Sequence, residues 1–346
     1  MKKLNIIFAL SLFCTSIGKS QNEITDFLIG SSEGFLNDTE QLIEGYMGPF
    51  GKWFGTGLNA GWYNTAKSHQ FPGFDITGGV HFITPPTNAS SFTPNLESFV
   101  IQGTGEISTF IGDANNTEIF YTNPITNSLE PLFTAPGGID IGSGYPLPMP
   151  YLQGSIGLIK KTELLFRFAP KIDIEDLKAG FWGVGFKHDI KQWIPGVNIL
   201  PFDLSFLGGY SSLNSNVSFE LPGQELNFNI TALNANLILS KKVSILTPYI
   251  GVGYQYSKSN LALNGTYTIA DWDGEQVLSG TSISVTDPFS LSFGGVNGFK
   301  ANAGLRLKVL LFTLHAEWVM AEYNMFTIGI GLNSEIGSKL IGGMVD

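Results

Sequence analysis

The sequence predicts an all-β protein. It reads as an antiparallel transmembrane β-barrel of about 12–14 strands behind a short N-terminal helical, hatch-like segment. Three observations predict it. The first is alternation near the C-terminus. Phe299, Ala301, Ala303, Leu305, Leu307 and Val309 form one row, and Lys300, Asn302, Gly304, Arg306 and Lys308 form the other. Phe312, Leu314, Ala316 and Trp318 then oppose Thr313, His315 and Glu317, and Phe326, Ile328, Ile330 and Leu332 oppose Thr327, Gly329, Gly331 and Asn333. Successive strand side chains point to opposite faces, so each strand has one apolar and one polar face. The second is composition. Charged residues are 14% of 346, well under the usual quarter or so, while glycine numbers 42 and phenylalanine 27. The third is an absence: after residue 20 no apolar run of about 18 residues occurs, so no helix spans a membrane. In a membrane barrel, lipid covers the apolar rows and the polar rows line a lumen, expected here to be wet. A secreted β-rich protein is the alternative.

The formal net charge of −10 and the pI near 4.9 lack the basic footprint of a nucleic-acid binder. Residues 1–20 read as a secretory signal, with Lys2 and Lys3 before the apolar Leu4–Phe13 and small residues at Gly18 and Ser20. The mature chain is expected to start at Gln21. Cys14, the one cysteine, falls in the discarded part, so no disulfide framework is expected.

Residues 21–70 form the N-terminal segment, 71–334 the barrel and 335–346 a tail. Residues 22–46 show helical spacing with a break near Gly30–Ser32. Asp38 and Gln41 resemble a capping box, and Pro49 is expected to end the helix. Such a helix can plug the lumen, cap the periplasmic mouth or lie on the surface. Residues 45–66 are dense in glycine and aromatics. Gly55 and Gly57 fail the dinucleotide-binding fingerprint, and glycines there suit close packing against a barrel wall. Trp53, Trp62, Trp182, Trp193 and Trp318 are candidate membrane-interface anchors.

Phe74–Phe82 is the first expected strand, followed by a polar loop over 84–96 and a strand over Phe99–Ile111. Residues 112–150 read as a long loop whose end, Gly144–Pro150, is a stiff segment against the barrel. Strands follow around Phe166, Val184, Phe206, Leu233 and Val252. A phase change between Ile230 and Leu233 suggests a bulge, and residues 257–298 hold weaker strands near Asp271–Gly274.

Candidate lumen-lining residues are Glu163, Arg167, Lys171, Lys300, Arg306, Lys308, His315 and Glu317, read as a solvated charge network. His315 and Glu317 share a face and could act as base and orienter in a barrel esterase or deacylase, or as two metal ligands. The spacing supplies no third partner, so no catalytic residue, metal or cofactor is assigned.

Gly45–Lys67 and Lys187–Gly196, with its Lys-His-Asp-Ile-Lys-Gln-Trp-Ile-Pro-Gly, resemble a family of bacterial outer-membrane proteins of unknown function. The resemblance spans nearly the whole mature chain and implies an outer-membrane barrel without supplying site residues. A more distant likeness in layout is to FadL-type transporters of long-chain fatty acids and aromatic hydrocarbons, which place an N-terminal hatch before a barrel. The resulting expectation is a monomeric outer-membrane barrel, in contact with outer-membrane lipid and no nucleic acid, that binds or passively passes small apolar solutes. The alternatives are a structural or surface-interaction barrel and, third, a hydrolase using His315 and Glu317.

Overall fold

The computed structural model describes residues 36–140, 144–174, 177–197, 199–219, 221–272 and 277–334. The signal sequence, the first part of the N-terminal segment and the C-terminal tail lie outside the described residues. Among the described residues one helix, α1 (Leu36–Asn59), precedes the strands. β1 (Phe74–Thr84) is followed by five short strands: β2 (Ser91–Phe92), β3 (Phe99–Ile101), β4 (Ile107–Ser108), β5 (Thr117–Thr122) and β6 (Leu129–Ala135). Then come β7 (Leu147–Gly157), β8 (Thr162–Ile174), β9 (Leu177–Asp189), β10 (Asp203–Ser218), β11 (Glu225–Ser240) and β12 (Leu246–Asn264). β13 (Thr266–Trp272) and β14 (Val277–Thr286) form a separate hairpin before β15 (Phe289–Val309), β16 (Phe312–Met320) and β17 (Asn324–Ser334).

The barrel closes in the order β1-β17-β16-β15-β12-β11-β10-β9-β8-β7 and back to β1, every pair antiparallel. It therefore has ten strands, not 12–14. Two features account for the difference. Residues 85–146 and 265–288 build small sheets outside the wall rather than further staves. β10, β11, β12 and β15 run 16, 16, 19 and 21 residues, where crossing a bilayer takes about 9–11, so chain is spent on height instead of number. The two longest connections, 85–146 and 265–288, share one end, opposite the short turns at 158–161, 241–245 and 310–311 and the 13-residue connection 190–202. Barrels keep long loops outside, which makes the long-loop end extracellular.

Two expectations fail here. Leu147–Gly157 is a barrel strand, although Pro148 and Pro150 made its beginning read as loop. The β7–β8 ladder starts only at Gln153↔Arg167, so both prolines lie where β7 is paired with β1 alone. Phe99–Ile111 is not one strand but two fragments of the extracellular cap.

The predicted bulge in β11 is also absent. Its register against β10 and β12 runs unbroken from Glu225 to Ser240. What changes is the environment. In the upper half Leu226, Phe228 and Ile230 face in and Asn227, Asn229 and Thr231 face out; below, Asn234 and Asn236 face in and Leu233, Ala235 and Leu237 face out. Neighbouring strands repeat the inversion. Asn214, Asn229, Asn260 and Ser292 form one outer row, and Phe206, Leu237, Val252 and Ala301 form a lower one. Water covers the upper exterior and lipid the lower. Outward aromatics mark the boundary: Trp182 meets Tyr210 at a tilt at 5.4 Å, and Tyr254 meets Phe299 edge-on at 5.2 Å.

Candidate functional site

The lumen is plugged by the chain's own N-terminal segment. α1 contacts β1, β7, β10, β11, β12 and β15, and its 24 residues extend about 36 Å down the barrel. Its upper end is held by the cap. The Asp38 carboxylate, expected as a helix cap, instead accepts backbone N–H bonds from Glu97, Ser98 and Phe99 at 2.7–3.1 Å. Pro49 lies inside the helix rather than ending it. Proline removes one helical donor and crowds the preceding turn. In that turn the Tyr46 carbonyl accepts the Phe110 N–H at 3.0 Å, which ties the cap to the helix. Gly61, with φ of +61°, then takes the left-handed conformation that ends the helix.

Below Gly61 the chain continues to the periplasmic mouth, and Trp62 is its anchor. The ring is buried and lies flat on the wall: a Cβ at Gly185 or Gly209 would come within 2.7 and 3.0 Å of it. The Arg167 guanidinium covers it at 4.1 Å. Trp53 is likewise buried, packed against Phe50 and Phe54. Both tryptophans are thus lumen residues rather than interface anchors. Aromatics among glycines suit an interior wall as well as a headgroup layer, and only the path of the chain distinguishes the two. Trp182, Trp193 and Trp318 are exposed on the outer surface, and Trp193 Nε1 donates to His188 Nε2 at 2.8 Å.

The charged residues expected in a wet lumen are dry. Glu163, Arg167, Lys300, Arg306, His315 and Glu317 point inward and are buried. Lys308 stands part-buried at the mouth, and the Lys171 side chain lies outside the described residues. Instead of facing solvent, the charges hold the plug. Lys300 Nζ donates to the Asn59 carbonyl at 2.7 Å and Arg167 Nη1 to the Leu58 carbonyl at 3.4 Å, placing two cations on the negative end of α1. Arg167 Nε also donates to Gln153, whose amide donates to the Trp62 carbonyl. The Tyr63 hydroxyl donates to Asn302 at 2.6 Å, and Asn302 donates to Glu317 at 2.8 Å. Nearer the mouth, Glu163 lies between Lys187 at 2.9 Å and His69 at 3.0 Å.

His315 and Glu317, expected as base and orienter, turn to different partners. His315 Nε2 meets the Tyr151 hydroxyl at 3.1 Å and its Nδ1 has no hydrogen-bond partner, while Glu317 turns to Asn302. Neither ring nitrogen meets a serine. Among the described residues no group of three or more metal-ligating side chains occurs. Sequence reasoning missed Tyr151, Gln153 and Asn59. The first two lie on the inward row Leu147, Met149, Tyr151, Gln153, Ser155, an alternation visible once the two prolines are allowed on its outer face.

One part of the wall is not laced. β7 and β8 pair over five residues, Gln153↔Arg167 to Gly157↔Glu163. Above that, β8 pairs with β9 alone, and β7 with β1 alone. The outer edges carry Leu152, Phe166 and Phe168, all exposed. Behind the seam stand Leu147, Met149 and Tyr151, in one apolar cluster with Phe181, Leu213 and Phe50.

The chain is 8% identical to the attachment invasion locus protein Ail of Yersinia pestis, with 76% of this chain and 100% of that chain covered and a TM-score of 0.28. The translocator domain of the autotransporter NalP from Neisseria meningitidis gives 10% identity, coverage of 77% and 90%, and a TM-score of 0.27. The Pseudomonas putida toluene transporter TodX gives 8%, coverage of 76% and 90%, and 0.26. Likenesses this distant carry no argument, and the outer-membrane-type barrel stands on its own strand pairing. No curated protein matches. The chain belongs to a family of unknown function, DUF6588, which matches its residues 1–334.

Proposed function

We propose that this barrel binds small apolar solutes in its upper lumen and exchanges them with the surrounding bilayer through the β7–β8 seam. The single observation that supports the reading most is the ladder that stops at Gln153↔Arg167 in front of an apolar interior. Elsewhere, parting two staves would break backbone hydrogen bonds in lipid, each expensive to leave unmade. At the seam, above those five pairs, no ladder has to break. The plug bars a water-filled route along the axis, which favours solutes that prefer lipid. On this reading the mature chain begins at Gln21 and is a monomer, with Trp182, Trp193 and Trp318 as interface anchors. A surface-interaction role is the second reading. It is favoured by the strands that rise above the lipid band and carry the β2–β6 cap.

A cross-link tests the proposal. Leu152→Cys and Phe168→Cys flank the seam, and Cys14 is the only other cysteine. Joining the two with a short, cleavable bis-maleimide should abolish saturable binding of N-phenylnaphthylamine by the reconstituted barrel, and cleavage should restore it. Undiminished binding in the cross-linked protein would remove the seam from the account.

A further inference from the structure

We propose that the periplasmic mouth is a binding site for a small anion bearing a phosphate or carboxylate group. Beneath the plug lies a cavity of about 220 Å³. Five formal cations line it, Lys67, Lys161, Lys242, Arg306 and Lys308, against two carboxylates, Asp189 and Asp203. The lining is thus +3 by formal count (5 − 2), in a chain whose total is −10. Lys161 engages Asp189 at 3.1 Å, and Arg306 faces Asp75, which lies outside the lining, at 3.8 Å; Asp203 is the lining's other carboxylate. A concave site of one sign between low-dielectric walls concentrates field and counter-ions. Hydroxyls of Thr65, Ser68 and Thr247 line the same space and can bond to anion oxygens.

The cavity is shared between plug and wall. Thr65 to Gln70 belong to the descending plug, whereas Lys161, Lys242 and Lys308 come from the periplasmic ends of the wall and its turns. An anion seated here bridges the two and fastens the plug from below. The inference is independent of the seam.

Calorimetry on the full-length protein in a neutral maltoside detergent tests it, with inorganic phosphate and citrate as probes and chloride at matched ionic strength as reference. The expected result is saturable one-to-one binding above the chloride reference, weakened at least tenfold by Lys67→Gln with Lys242→Gln. Both side chains are exposed, so the double variant should keep its fold, checked by its shift on unboiled gels. Lys258→Gln, on the outer face of β12, should leave binding unchanged. Short-chain phosphatidic acid is the second arm: tighter binding than phosphate assigns the group to a lipid headgroup, weaker binding to a soluble anion. No saturable binding of either probe, or equal affinity in the double variant, would overturn the proposal.

Discussion

Replacing Leu237 and Asn229 by arginine, one at a time, tests the inversion along β11. Both residues face outward on the same strand. Leu237 lies between Leu233, where the outer apolar row begins, and Ser240, where the strand ends. Its lateral neighbours are Phe206 and Val252. An arginine near the bilayer midplane of a barrel costs about 2–4 kcal/mol. Asn229 sits between Asn214 and Asn260 in the upper polar row, and a surface substitution there should stay within about 0.5 kcal/mol. The difference corresponds to roughly 30- to 700-fold in the unfolding constant. With a slope near 2 kcal/mol/M, the urea midpoint of Leu237→Arg should fall by about 1–2 M while that of Asn229→Arg stays put. The assay is reversible urea unfolding in phospholipid vesicles, followed by tryptophan emission. Large losses in both variants would mean that lipid covers the whole strand. Small losses in both would mean that it covers neither part.

Four further outcomes follow from the same geometry. His315→Arg should block folding or cost more than about 3 kcal/mol, because it adds a charge beside Arg306 in a dry pocket closed by Tyr151; the unboiled-gel shift reports it. Glu163→Gln should destabilise by about 3–5 kcal/mol in urea, since Lys187 stays buried with the Thr65 carbonyl at 3.5 Å as its remaining contact. Gly185→Leu should push Trp62 off the wall, seen as a red shift in emission, at a cost of about 1–3 kcal/mol. Asn37→Cys, at the exposed start of α1, should react with an impermeant maleimide on intact cells, whereas Lys242→Cys should react only after the outer membrane is opened.

The alternation carried most of the barrel into view. β1, β8–β12 and β15–β17 each contain an outward apolar row that only a half-buried strand explains. The remainder was hidden by particular residues. Pro148 and Pro150 disguised β7, because a proline in a strand reads as loop unless the missing partner is known. Pro49 hid the lower half of α1 for the same reason. The Ile230–Leu233 phase change looked like a bulge because alternation reports a difference between two faces, not which one is wet. The charged inward rows were recognised as facing the lumen. Their dryness was not legible, since it depends on Trp62, Asn59 and Tyr63 arriving from a distant part of the chain to meet them.

The plug is the centre of the account, and ion conductance in planar bilayers tests it most directly. The intact protein should show no steady open level, because α1 and the turn at Trp62 block the lumen. A protein lacking residues 22–59, checked for folding by its unboiled-gel shift, should open discrete conductance steps. Steady conductance by the intact protein, or a folded deletion that stays closed, would contradict the plugged lumen.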